Sequence, residues 1–193
     1  MTYTMIYGTL SKGEDGLYHV KAMTDGGKRC YVQVKNALVT EDADDEITFD
    51  LSGAVGVERV EDVHANNITA ANENSVTWFG KQLPEKTITK VYTKQDTLSA
   101  DKISATKVFG ANKELLTEVP SLVGSKCSVM FEYAGIWFAK KAFGPQWNLV
   151  QVKMLPEPEP TPEPTPTPEP EPEPTPEPEV EAYPDEIVIE DDE

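Results

Sequence analysis

Apolar and polar residues alternate near both ends of the first 154 positions. In residues 17–24, Tyr18, Val20 and Ala22 alternate with His19, Lys21 and Met23. A period of two predicts a half-buried strand. Thr24-Asp25-Gly26-Gly27-Lys28 follows, and its glycines permit the positive φ of a tight hairpin turn. The next strand is cleaner, with Cys30, Val32 and Val34 on one face and Arg29, Tyr31, Gln33 and Lys35 on the other. Farther on, Cys127, Val129, Phe131 and Tyr133 alternate with Ser128, Met130 and Glu132. Ala134-Gly135 predicts a bend. Residues 136–143 and 147–154 predict two more extended segments, joined by Gly144-Pro145. In the last of these, Val150, Val152 and Met154 share one face and Trp147, Leu149, Gln151 and Lys153 the other.

The middle has a different rhythm. Ile47-Thr48-Phe49-Asp50-Leu51 reads as a strand. Val60, His64, Ile68, Ala71 and Ser75 then recur at helical spacing. Trp78-Phe79-Gly80 is expected to plug a core and stop that element, which places Trp78 inside. Leu83-Pro84-Glu85-Lys86, followed by Ile88, Val91 and Tyr92, reads as a second short helix with its proline near the first turn. The expected fold is mainly β, a sheet-rich body over residues 1–154 with a helical insertion around residues 57–93.

A boundary falls near Leu155. From residue 156 to 178 every second residue is proline, alternating with Glu and Thr. Proline fixes φ and restrains the residue before it, so residues 155–178 read as a polyproline II spacer without a core. Residues 179–193 form a distinct acidic tail around the apolar Ile187-Val188-Ile189. This three-residue plug is a candidate partner-docking peptide held out on a rod.

Charge sharpens the division. The chain has 34 acidic and 17 basic side chains and a net charge of −17. Fifteen of the acids and no Lys or Arg lie in residues 155–193, leaving the body 19 acids and 17 bases. A second concentration, ten acids against Arg59 alone, occupies residues 41–73. Outside residues 41–75 the body holds 16 bases and 9 acids, a net +7. An acidic total therefore hides a basic surface.

Several chemistries find no support. No apolar run approaches the ~18–20 residues of a membrane span. The start, Met-Thr-Tyr-Thr-Met-Ile-Tyr-Gly, lacks the charged region and apolar core of a secretory signal, so a cytoplasmic location is expected (host cytoplasm for a viral chain). Cys30 and Cys127 are far apart and read as buried thiols. His19 and His64 are too few for a histidine metal cluster. There is no phosphate-binding loop and no Gly-x-Ser-x-Gly elbow. Neither a catalytic residue nor a metal or other cofactor is expected.

What remains is cations interleaved with rings. Arg29, Tyr31 and Lys35 share a strand face, and Trp137-Phe138-Ala139-Lys140-Lys141-Ala142-Phe143-Gly144-Pro145-Gln146-Trp147 is the densest such patch. Single-stranded nucleic acid needs this mixture, since cations track phosphates and rings stack on bases at ~1–3 kcal/mol each. Arg29, Lys35, Lys140, Lys141 and Lys153 are the candidate phosphate contacts. Tyr31, Trp137 and Trp147 are the candidate stacking residues, with Trp147 on the same expected outer face as Lys153.

Three stretches carry a likeness: Lys28-Arg29-Cys30-Tyr31-Val32-Gln33-Val34-Lys35, Asn74-Ser75-Val76-Thr77-Trp78-Phe79-Gly80-Lys81, and Trp147-Asn148-Leu149-Val150-Gln151-Val152-Lys153. Together with the long linker and acidic end, they make the chain resemble the single-stranded-DNA-binding proteins of bacteriophages and large DNA viruses. The resemblance implies an OB fold, a non-catalytic role in DNA replication, recombination and repair, and single-stranded DNA as partner. It also implies replication or recombination proteins recruited through the tail, leaves self-association open, and calls for no membrane. A protein-interaction or structural virion module, presenting the terminal peptide on its proline rod, is the competing expectation.

Overall fold

The computed structural model describes residues 4–94 and 96–156. Strands β1 (Met5–Tyr7), β2 (Ser11–Lys12), β3 (Tyr18–Thr24), β4 (Cys30–Asp42) and β5 (Glu46–Asp50) come first. Helices α1 (Glu58–Glu73), α2 (Ser75–Phe79) and α3 (Glu85–Val91) follow. Strands β6 (Thr97–Phe109), β7 (Lys126–Phe138) and β8 (Phe143–Met154) complete the order. The expected class is the one observed, mainly β with a helical insertion.

Five strands form a circuit. β4 pairs β5, β5 pairs β6, β6 pairs β8, β8 pairs β7, and β7 returns to β4. All these contacts are antiparallel except β6–β8. That parallel edge begins only at Asp101 and Asn148 and breaks between Lys102 and Lys107, so the ring closes in part. A five-stranded, partly open barrel is the OB arrangement, here with three helices inserted between its second and third strands. The remaining strands extend the sheet through β3, which pairs the far end of β7.

One glycine lets β7 change partners. Residues up to Tyr133 pair with β4, and Gly135 onward pairs with β3. Gly135 has φ +146, and a Cβ there would stand 2.0 Å from the Val20 carbonyl oxygen. The expected bend at Ala134-Gly135 is therefore a bulge within one strand.

Two cores result. The ring encloses Val32, Val34, Phe49, Val129, Phe131, Trp147 and Leu149. The second lies under the helices and joins Val20, Ala71, Trp78, Ile88, Ile136, Phe138 and Phe143. α1 buries Val60, Val63, His64, Asn67, Ala70 and Ala71, one stripe at helical spacing. Gly80, left-handed at φ 72, ends α2, and extended Pro84 leads into α3. Trp78 is in the core as expected, edge-on to Tyr7 and Phe138.

A polar knot fastens the insertion to the barrel. Asn67 is fully buried, and its Oδ1 accepts from the hydroxyls of Tyr7, at 2.7 Å, and Tyr133. Its Nδ2 donates to the Tyr92 hydroxyl at 3.0 Å, which in turn lies 2.7 Å from His64 Nδ1. Burial pushes the hydroxyls of Tyr7, Tyr92 and Tyr133 well above the usual phenol range and lowers His64, so the knot is neutral.

The last strand corrects the expected faces. A register shift between Met130 and Phe131 leaves Val150 as an extra residue between Leu149 and Gln151. A bulge reverses the in–out phase. Before it Trp147 and Leu149 point into the ring; after it Val152 does. Trp147 is 4% exposed, so it does not lie on an outer face. Gln151 and Lys153, at 2% and 3%, are also buried, flanked by β6 at Lys107 and Phe109. Gly144-Pro145 is not the joint between segments. Both lie inside β8, and the turn is at Ala139-Lys140-Lys141-Ala142, where the Ala139 amide donates to the Ala142 carbonyl at 2.8 Å.

Cys30 and Cys127 are buried free thiols, and burial, aided by the Asp42 carboxylate, pushes Cys127 up to about 12. Among the described residues no helix is long and apolar enough to cross a membrane. None of them form a group of three or more metal-ligating side chains. The spacer from residue 157 onward, and the tail with Ile187, Val188 and Ile189, lie outside the described residues.

Candidate nucleic-acid interface

Two grooves of similar size flank the β7–β8 hairpin, and their charges are opposite. The first, about 940 Å³, opens where β6 and β8 have not yet met. Asp15, Glu46, Glu61, Asp96 and Asp101 line it. Burial, then the carboxylates of Asp101, Asp45 and Glu41, raise the Glu46 carboxyl above its usual range, the signature of a negative site. Its one lysine, Lys94, is paired with Glu61. Half-buried Trp137 forms part of the wall, its Nε1 donating to the Pro145 carbonyl at 3.1 Å. Beside it His19 Nε2 lies 2.9 Å from Asp15 Oδ2, and Nδ1 lies 3.2 Å from Gln146 Oε1. A phosphate chain would meet repulsion here.

The second groove, about 750 Å³, lies between the β7–β8 turn, the start of β3 and the α2–α3 corner. Lys81, Lys140 and Lys141 line it, and no carboxylate does. Its floor is aromatic. Phe138 and Phe143 stack at 5.6 Å and 9°, and half-buried Phe79 sits edge-on to both at 5.7 and 5.3 Å. Tyr18, 48% exposed, continues the row, because it pairs across β3–β7 with Phe138. Among the described residues, no ion pair involves Lys81, Lys140 or Lys141. Other cations are committed: Arg29 to Glu132, Lys94 to Glu61, Lys102 to Asp42.

The chain matches the model of a family described only as a family of unknown function (DUF5871), over residues 35–165. It belongs to that family. No curated protein matches it. Among solved structures it is similar to the single-stranded DNA-binding protein from bacteriophage Enc34, at 14% identity and a TM-score of 0.47, covering 82% of this chain and 94% of that one. The same phage protein in complex with single-stranded DNA gives 14% identity and a TM-score of 0.43, covering 79% of this chain and 97% of that one. Its C-terminal truncation gives 14% and 0.46, covering 80% and 95%.

In this DUF5871 member the sequence-derived candidates fall in four places. Lys140 and Lys141 stand together at the hairpin tip, on the basic groove. Trp137 belongs to the acidic groove. Arg29, just before β4, and Tyr31 on its outer face lie together, and Arg29 Nη1 donates to both Glu132 carboxylate oxygens at 3.1 Å while Asn148 Nδ2 adds a third bond at 3.3 Å. Tyr31, opposite Glu132 in register, is 37% exposed. Lys35 is half-buried farther along β4, its backbone bonded to Val55 in both directions. Trp147 and Lys153 are buried; Trp147 contributes to the wall of the acidic groove, and neither presents a ring or cation to the basic groove. The β4 face and the hairpin tip are separated by the stretch of β7 from Glu132 to Phe138, or ~20 Å of strand.

The pattern missed Tyr18, Phe79 and Lys81. Tyr18 shares the inward face of Val20, but at the strand's first residue that face has run past the core. Gly80-Lys81 directly after two rings was the available signal for Lys81.

Proposed function

We propose that this protein binds single-stranded DNA without strong sequence preference and without catalysis, through the basic groove. One observation carries the reading: two lysines on a hairpin tip, without an ion pair among the described residues, overhang an aromatic floor that no described carboxylate lines. Lys140 and Lys141 contact phosphates, and exposed ring faces take bases with little regard to their identity. The β4 face, with Arg29, Tyr31 and Lys35, is a secondary contact along the same barrel. Its guanidinium already serves Glu132, so it contributes less than the hairpin. Such coating fits roles in replication, recombination and repair inside a cell.

The polyanionic residues 157–193 act on the same groove as a tethered competitor. A tether of prolines and glutamates can reach on the order of 70 Å, and a tethered ligand competes at high effective concentration. Fluorescence anisotropy with labelled oligo-dT tests the proposal. Binding should weaken with salt, with a log–log slope of roughly −0.7 per phosphate contact. Deleting residues 157–193 should tighten binding at low salt, with the gain fading as salt rises. Absence of oligo-dT binding at low salt would leave the protein-interaction module as the better reading.

A further inference from the structure

We infer that the insertion and the β2–β3 corner form a second bank of the DNA site, with Tyr18 as a base-stacking platform and Lys81 as a phosphate contact. The inference rests on the proposed single-strand binding and extends it beyond the barrel and its hairpin.

Tyr18, Phe138 and Phe143 occupy one row across β3, β7 and β8, set by direct register pairs. Side chains so paired lie about 4.5–5.5 Å apart at their Cβ atoms on the same face. The inner two rings are buried and stacked on each other. The outermost, Tyr18, ends the row half in solvent, where a base can extend it. β2 brings Lys12 beside it, in register with Tyr18.

Lys81 is placed by a built corner. Gly80 turns the chain in the left-handed region after α2. Fully buried Ser75 donates its hydroxyl to the Lys81 carbonyl at 3.1 Å and accepts from the Leu83 amide at 2.8 Å. This clamp fixes the backbone that carries the ammonium. Trp78 and Phe79, packed on Phe138 and Phe143, hold the corner against the barrel. A preformed bank loses less freedom on binding than a mobile one. The cations of the two banks therefore face each other across a floor of rings, the arrangement in which a backbone runs along lysines while bases turn inward.

The test uses the full chain and oligo-dT, with three variants of the second bank and the Lys140→Gln/Lys141→Gln variant for comparison. Tyr18→Ala should weaken binding roughly tenfold, the loss of about one stacked base, and Tyr18→Phe should retain it. Lys81→Gln should reduce the log–log salt slope by roughly 0.7, one phosphate contact on a single strand. Melting temperatures should not change, because both side chains are exposed. If Tyr18→Ala and Lys81→Gln bind like the parent while Lys140→Gln/Lys141→Gln is impaired, the second bank is wrong and single-strand binding stands. If the parent itself does not bind oligo-dT at low salt, both are overturned.

Discussion

The two grooves share the β7–β8 hairpin as a wall yet invite opposite ligands. In the first, Trp137 and Trp147 stand among five carboxylates, and its lysine is tied to Glu61. In the second, three lysines without ion pairs among the described residues surround Tyr18 and the Phe79, Phe138, Phe143 floor. Ring content does not separate them. Charge does, and with it the distinction between rings that build the barrel and rings that line a basic groove. Tryptophans draw attention in a sequence, but the exposed ring of the basic groove is a tyrosine.

The comparison can be broken most severely at Trp147. It fills the ring core against Phe131 and Tyr133, at centroid distances of 6.1 and 5.2 Å. Trp147→Ala should destabilise the fold by about 3–5 kcal/mol in thermal or denaturant unfolding. Oligo-dT affinity of the protein that remains folded should be unchanged.

Next in size is Asn67, the hub that ties α1 to β1, β7 and the end of α3. Asn67→Leu removes the amide shared by the Tyr7, Tyr92 and Tyr133 hydroxyls; Tyr92 keeps His64, and each group left unsatisfied costs about 1–3 kcal/mol. Loss of roughly 3 kcal/mol in urea unfolding is expected, partly offset by the added apolar volume. Because the insertion forms one side of both grooves, binding should weaken along with stability.

The same knot predicts a pH dependence. Burial lowers His64, helped by the Lys94 ammonium and opposed by Glu61. A histidine depressed in the folded state contributes stability that is present above its unfolded value of ~6.5. That contribution is lost as pH falls from there through the folded value. Melting temperature should decline over that window, and His64→Phe should flatten the decline.

How far the sequence announced all this can be judged residue by residue. The alternation of Cys30, Val32 and Val34 with Arg29, Tyr31 and Gln33 survived intact, because β4 is regular there. The α1 stripe was legible for the same reason. β8 was not, because a single bulge at Val150 turned Trp147 inward, and a strict period of two cannot register it. Gly144-Pro145 resembled a turn but lies in a strand. β6 joins β8 in register only from Asn148, so Pro145 sits where its missing donor costs no ladder bond on that side. Gly144 leaves room for the Trp137 ring: a Cβ there would stand 3.0 Å from it, tighter than ordinary contact. Of the candidate site, the hairpin lysines were legible as a charged pair. Their partners across the groove come from residues 63 and 59 positions earlier, Phe79 and Lys81 against Ala142 and Lys140, and only the fold brings them near.

The smallest expected effect is at the acidic groove. Neutralising Glu46→Gln and Asp101→Asn together should change oligo-dT binding by less than about 0.5 kcal/mol, in the direction of tighter binding. A large loss would assign the DNA path to that groove instead.

The central claim concerns the hairpin tip, and reversing its charge tests it most directly. Oligo-dT anisotropy at low salt should be compared between the parent and Lys140→Glu/Lys141→Glu, with melting temperature as the folding control. Both lysines are exposed and, among the described residues, outside any ion pair, so the variant should melt like the parent and lose at least roughly tenfold in affinity, with a shallower salt slope. A variant that folds normally and binds oligo-dT as tightly as the parent, with the same salt dependence, would contradict the assignment of the basic groove.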